Sequence, residues 1–154
     1  MSNRSDFTDE EWTAITDAPV QVMATMFLAG QHGPISAFKE SSAGVHAIAQ
    51  PGNRGSATGL IAEIVPVAES KQARHDAGHP HGASVAEAID AGVAQLQSAA
   101  TALAKLPDDE PAQVGGWLVD VGAAVAAASK GVSDLERETL AKIAAVFGVA
   151  TPSI

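Results

Sequence analysis

Apolar residues recur along this chain with the period of a helix, and no convincing stretch follows the two-residue period of a strand. The clearest case is 133–148, SDLERETLAKIAAVFG, where Leu140, Ile143 and Phe147 fall three and four residues apart. Glu136, Arg137, Glu138 and Lys142 fill much of the remainder, which predicts a surface helix docking one stripe. Two other stretches, 18–30 (APVQVMATMFLAG) and 114–129 (VGGWLVDVGAAVAAAS), are apolar almost all round, as helices inside a globular bundle are. Both fall short of the ~20 apolar residues of a spanning helix, and the second carries Asp120. The expected fold class is all-α.

Helix boundaries follow from caps and breakers. Thr8 with Glu11, Ser84 with Glu87 and Ser133 with Glu136 each have the spacing of a capping box, in which side-chain oxygens satisfy backbone N–H groups that a helix leaves unpaired. Phe7 and Trp12 flank the first box as a hydrophobic staple. A first helix is expected from Thr8 to about Asp17, where Pro19 disfavours continuation and then opens a second helix that ends near Gly30. Helices are further expected over about 35–49, 59–73 (with Pro66 inside), Ser84 to Leu106, a sixth from the PDDEP segment at 107–111 to about Lys130, and Ser133 to Phe147 with Gly148 at its end. The segments 50–59 and 74–82 are expected as loops. Residues 1–154 thus make a single-domain bundle of about six to seven helices, with 1–7 and 150–154 as flexible ends. Gly115, Gly116 and Gly122 in the sixth helix predict close approach of neighbouring helices to a crowded central element.

Composition narrows the function classes. Alanine makes up much of the 46% hydrophobic share, since aromatics are only 4% and tyrosine is absent. The absence of cysteine removes disulfides, thiolate zinc sites and cysteine nucleophiles together. The 18 acidic and 9 basic residues give a net charge of −9, which disfavours nucleic acid and anionic membrane surfaces as partners. The first residues, MSNRSDFTDEEW, hold no apolar core of a signal peptide, and the expected location is cytoplasmic.

Candidate chemistry is concentrated in RHDAGHPHG at 74–82. His75, His79 and His81 are the candidate metal ligands, with Asp76 beside them, for a first-row divalent cation. Gly78 and Pro80 interrupt the helical spacing of His75 and His79, so the segment is expected to be a polar loop and not an intrinsic metal site. Stoichiometric zinc is accordingly expected to leave the melting temperature unchanged, both in the wild type and in the His75→Ala, His79→Ala, His81→Ala variant. A rise of several degrees confined to the wild type would reverse that expectation, because a ligand selective for the native state stabilises it by mass action. His32 and His46 stand alone. GNRGSATG at 52–59 lacks the lysine and the strand context of a phosphate loop, no serine stands in a nucleophile-elbow motif, and no catalytic residue is assigned.

Two segments echo each other. FLAGQHGPISAFKE (27–40) and VAAASKGVSDLERE (125–138) each end an apolar helix, turn through Gly33 or Gly131, offer Ile35-Ser36 or Val132-Ser133, and open a helix carrying Glu40 or Glu136 and Glu138. They make a pseudo-symmetric pair of helix–turn–helix units. This pattern resembles the tellurite-resistance TerB-like helical domains, and EWTAITDAP followed by FLAGQHGPISAFKE is similar to uncharacterised bacterial proteins of the same layout. The resemblance covers about 7–49 and 114–149. It implies a helical bundle whose turn aspartates and following glutamates make an acidic, cation-binding surface. Here those turns hold Gly30, Gln31 and His32, or Ser129 and Lys130, so only Glu40 and Glu136 correspond.

The expected function is that of a non-enzymatic helical interaction or stress-associated protein of TerB-like type, needing no cofactor, with another protein or a second copy of itself as partner and no membrane insertion. One alternative is a metal-binding protein using the His75, His79 and His81 segment. Another is a small-molecule binder or enzyme with a pocket between the Gly-rich helix and its neighbours, involving Glu40, His46 or Asp120.

Overall fold

A computed structural model describes residues 3–30, 43–49, 59–73, 84–128 and 131–154. After a 3-10 turn at Arg4–Asp6 come α1 (Asp9–Gly30), α2 (43–49), α3 (Gly59–Ala73), α4 (Val85–Leu103), α5 (Glu110–Ala127) and α6 (Asp134–Phe147). The described residues are all-helical, with no strand, and these helices pack as one bundle. The echo at 27–40 lies mostly outside the described residues. Its counterpart closes α5 and opens α6 through Gly131, whose φ of +87° is open to glycine without a Cβ penalty.

All three N-cap side chains bond to the helix start, two of them in the reciprocal capping box that their spacing predicts and Ser84 in one direction only. The Glu11 backbone N–H donates to Thr8 Oγ1 at 3.1 Å, and the Thr8 N–H donates back to Glu11 Oε2 at 2.8 Å. Ser133 and Glu136 repeat the reciprocal pair at 3.2 and 2.7 Å. Ser84 Oγ accepts from Glu87 N–H at 3.2 Å. Thr8→Ala and Ser133→Ala are each expected to destabilise by about 1 kcal/mol, because each strands an N–H at a helix start; an unchanged urea midpoint in both would refute the assignment. At the other end of α6, Gly148 takes φ +65°, its N–H bonds Ala145, and the Val149 N–H bonds Ala144, which together close the helix in a Schellman motif.

PDDEP caps differently from expectation. Asp109, at the N-cap of α5, sits at φ −99°, ψ 5° and makes no side-chain bond to the helix backbone. Ser84 and Ser133 are extended (ψ 166° and 161°), the geometry that aims a side-chain oxygen at the N3 amide. The Asp109 carboxylate instead accepts from Gln113 Nε2 at 3.3 Å, and Pro111 fills the first turn, where a missing N–H costs nothing.

The larger correction is at Pro19. Two helices are expected around it, yet α1 runs unbroken through it. An interior proline costs about 3 kcal/mol. Opposing that cost, Ile15, Ala18, Val22 and Met26 are all buried along one side, while Val20, Ala24 and Thr25 are buried on others. Each large aliphatic side chain so buried contributes roughly 1.5–3 kcal/mol. Packing therefore outweighs the local preference, and α1 becomes the axis of the bundle, touching α3, α4, α5 and α6. The hydroxyls of buried Thr16, Thr25 and Thr139 donate to carbonyls one turn back at 2.9, 2.8 and 2.7 Å, so no polar penalty attends their burial.

The glycines of α5 do bring helices close. A Cβ built at Gly115 would lie 2.8 Å from Phe147 Cβ, and one at Gly122 would lie 3.0 Å from Leu140 Cδ1 and 3.2 Å from Val22 Cγ1. The space a side chain at either position would take is already filled by side chains of α1 and α6. Trp117, between them in sequence, is fully buried and directs its indole N–H toward the Ala47 carbonyl of α2 at 3.4 Å.

Candidate functional site

Only some of the residues singled out by sequence fall among the described residues. His75, His79 and His81, with Asp76, His32 and Glu40, lie outside the described residues. His46 is exposed on α2 and Asp120 is exposed on α5. Among the described residues no group of three His, Asp or Glu side chains is placed to hold a metal ion. Glu136, the second residue of the TerB-like pattern, is buried, and its carboxylate accepts the Ser133 N–H in the cap of α6.

What the tertiary structure creates is a groove of about 840 Å³ between α1 and α4. Glu11 in the first turn of α1 pairs with Lys105, just past the end of α4, and the two helices stay in contact along their lengths, so they run antiparallel. Ala14 and Ala18 of α1 with Leu96 and Ala102 of α4 form an apolar floor. Small residues there let the helices approach while leaving a furrow above them. One wall is acidic, with Glu10, Glu11 and Asp17. The other is polar and uncharged, with Gln95, Gln97, Ser98 and Thr101. Neither His46 nor Asp120 lines it.

One end of the groove is braced by an aromatic and ionic cluster. The Phe7 and Trp12 rings stand 6.1 Å apart, as the staple predicts. Lys105 Nζ lies 5.2 Å from the Phe7 ring centre and 2.5 Å from Glu11 Oε2, while the Arg4 guanidinium covers Trp12 at 5.4 Å and pairs with Asp9. The Arg4 N–H also donates to Glu63 of α3 at 2.7 Å. Arg4, in the 1–7 segment, is thus bonded to both α1 and α3.

The hydrogen bond from Lys105, followed by that from the Thr8 backbone, lowers the Glu11 carboxyl below its ordinary pKa of 4.5. Folding lowers this pKa, so the contribution to stability is complete above pH 4.5 and fades as pH falls through the folded value. Glu11→Gln is expected to lower stability at pH 7, and the gap from wild type should narrow steadily below pH 4.5. Urea midpoints measured across that range decide it: a gap independent of pH would show that Glu11 acts only as a neutral cap.

No family model, curated protein or solved structure matches this chain. The functional reading therefore rests on its own residues. Chemically, the groove favours cations and hydrogen-bond donors over an apolar floor. Its Thr13 and Thr101 hydroxyls donate to carbonyls of their own helices at 2.8 and 2.9 Å. The sequence held one unused signal of this face: α4 has no charged residue from Ala91 to Ala104, an unusual run for a helix with exposed positions at Gln95, Gln97, Ser98 and Thr101.

Proposed function

We propose that this chain is a non-enzymatic helical interaction module, of the stress-associated TerB-like kind, that binds a protein partner through the α1–α4 groove. The observation that carries the reading is the groove itself: an elongated furrow open to water, with an apolar floor and two polar walls of different charge. Charge depletion on one wall is what protein-binding surfaces show at their centre. Of the residues that suggested other chemistry, Glu136, Gly115 and Gly122 have structural work, while His75, His79, His81 and Glu40 lie outside the described residues. Glu136 caps α6, Glu11 caps α1 and holds Lys105, and Gly115 and Gly122 admit side chains of α1 and α6 where a pocket would need space.

Native mass spectrometry of the full chain, isolated from the cells that make it and read before and after denaturation, tests this. The expected result is an associated mass that proves to be a polypeptide. A stoichiometric small-molecule or metal adduct in its place would overturn the reading in favour of a ligand-binding protein.

A further inference from the structure

We propose that Asn3–Phe7 is a gating strap: it lifts off the bundle as a unit while the helices stay folded, and in lifting it uncovers an apolar socket beside Trp12. The inference is independent of the α1–α4 groove.

Hydrogen bonds divide the start of the chain into two closed units. In the first, Asn3 Oδ1 accepts from the Ser5 N–H at 2.9 Å, and the Asn3 N–H donates to Asp6 Oδ2 at 2.8 Å. The Asp6 and Phe7 N–H groups donate to the Asn3 and Arg4 carbonyls at 3.0 and 3.3 Å, and Arg4 Nη1 donates to the Phe7 carbonyl at 2.9 Å. In the second unit Thr8 and Glu11 cap α1 reciprocally, and the Trp12 N–H donates to the Thr8 carbonyl at 2.9 Å. None of these bonds joins one unit to the other. The link from Phe7 to Thr8 is therefore a joint: the strap keeps its turn and α1 keeps its cap when the two part.

Arg4 and Phe7 hold the strap down. Among the described residues, each polar bond from the strap to a helix leaves from Arg4. Its backbone N–H donates to Glu63 of α3 at 2.7 Å, and its guanidinium pairs with Asp9 and covers Trp12. Glu63 is exposed, and the Asp9 side chain is almost wholly so. Ionic contacts this open to water contribute little and are screened by salt. The other hold is the Phe7 ring, buried beside Trp12 and 5.2 Å from Lys105 Nζ. A segment tied by one buried side chain and a few exposed bonds opens at a lower free energy than the core helices.

Phe7 belongs to the same apolar cluster as Leu103 and Leu106, at the end of the bundle where α1 begins and α4 stops. When Phe7 and Arg4 leave, half-buried Trp12 loses both of its covers, and Lys105 stays at the rim on Glu11. The result is a socket shaped for one large apolar side chain. Its resident occupant is the chain's own Phe7, and ionic strength shifts the balance between closed and open.

Amide hydrogen exchange of the full chain, followed residue by residue by NMR, tests the strap. In wild type the Asp6 and Phe7 amides should be protected relative to an unfolded chain, yet exchange at least about 100-fold faster than interior amides of α5. Arg4→Ala should speed exchange in the strap at least about tenfold and leave α5 unchanged. It should also raise the fluorescence of an added apolar dye at least about twofold, as newly exposed hydrophobic surface does. Raising salt from about 50 to about 500 mM should act on wild type in the same direction. Lys142→Ala, which breaks the exposed pair with Asp90, should leave strap exchange as it is in wild type. Strap amides that exchange no faster than α5, or an Arg4→Ala variant in which both speed up together, would place the strap in the cooperative core and overturn the proposal. Wild-type strap amides as fast as an unfolded chain would overturn it too, since no closed state would exist. So would strap exchange indifferent to Arg4→Ala or to salt, or selective release without a gain in dye fluorescence.

Discussion

Trp117→Ala is expected to lower the free energy of unfolding by about 3–5 kcal/mol, the range for deleting a large aromatic from a packed core. The indole is 1% exposed, in a cluster that includes Val22, Met26, Ile48, Leu118 and Leu140. Its removal leaves a void in a close-packed cluster that the neighbouring side chains cannot fill without a shift of whole helices. For a chain of 154 residues the loss corresponds to a fall of roughly 10 °C in melting temperature. Trp117→Phe keeps most of the volume and should lose much less. Equal melting temperatures for wild type and Trp117→Ala would place the indole outside the core and undo the packing described for α5.

The second large effect is steric. Gly115→Val is expected to destabilise by about 2–3 kcal/mol, near the upper end of the range for overpacking a well-filled core. The first added carbon alone would lie 2.8 Å from Phe147 Cβ, a position fixed to the α6 backbone, so no side-chain rotation relieves it. The helices must separate, and apolar surface shared with α6 is exposed. Valine also lacks the freedom of rotamer that a crowded helix site demands. Ala112→Val on the same helix provides the control: Ala112 is exposed, so only the propensity difference of about 0.5–0.7 kcal/mol remains. Matching denaturation midpoints for the two variants would show that α5 and α6 do not meet at Gly115.

The fold class and most helix boundaries were legible because they depend on near neighbours. A capping box involves residues three apart, so Thr8 with Glu11 and Ser133 with Glu136 carry their own geometry. The stripe of Leu140 and Ile143 and the glycine that ends α6 are likewise local. Where a local rule met a tertiary force, the rule lost. Pro19 should end a helix, and burial of Ile15, Val22 and Met26 around it carries the helix through. Asp109 has the right chemistry for an N-cap, and a backbone at ψ 5° withholds the geometry.

By itself, then, the sequence determined an all-α bundle, its three side-chain caps, the close-packing glycines of one helix and a net charge of −9. Only the tertiary structure decided which helix became the axis, which side chains fill the space above Gly115 and Gly122, and where a groove opens between α1 and α4. The groove illustrates the reason. Its walls come from segments near residues 10–21 and 95–102, joined in space by a salt bridge between Glu11 and Lys105 that no spacing along the chain encodes. Each wall alone reads as a solvated helix face: one has a few carboxylates, the other a few amides and hydroxyls. A furrow exists only once the small residues Ala14, Ala18 and Ala102 bring the two helices together, because a binding surface is set by the distance between elements and that distance is fixed by packing.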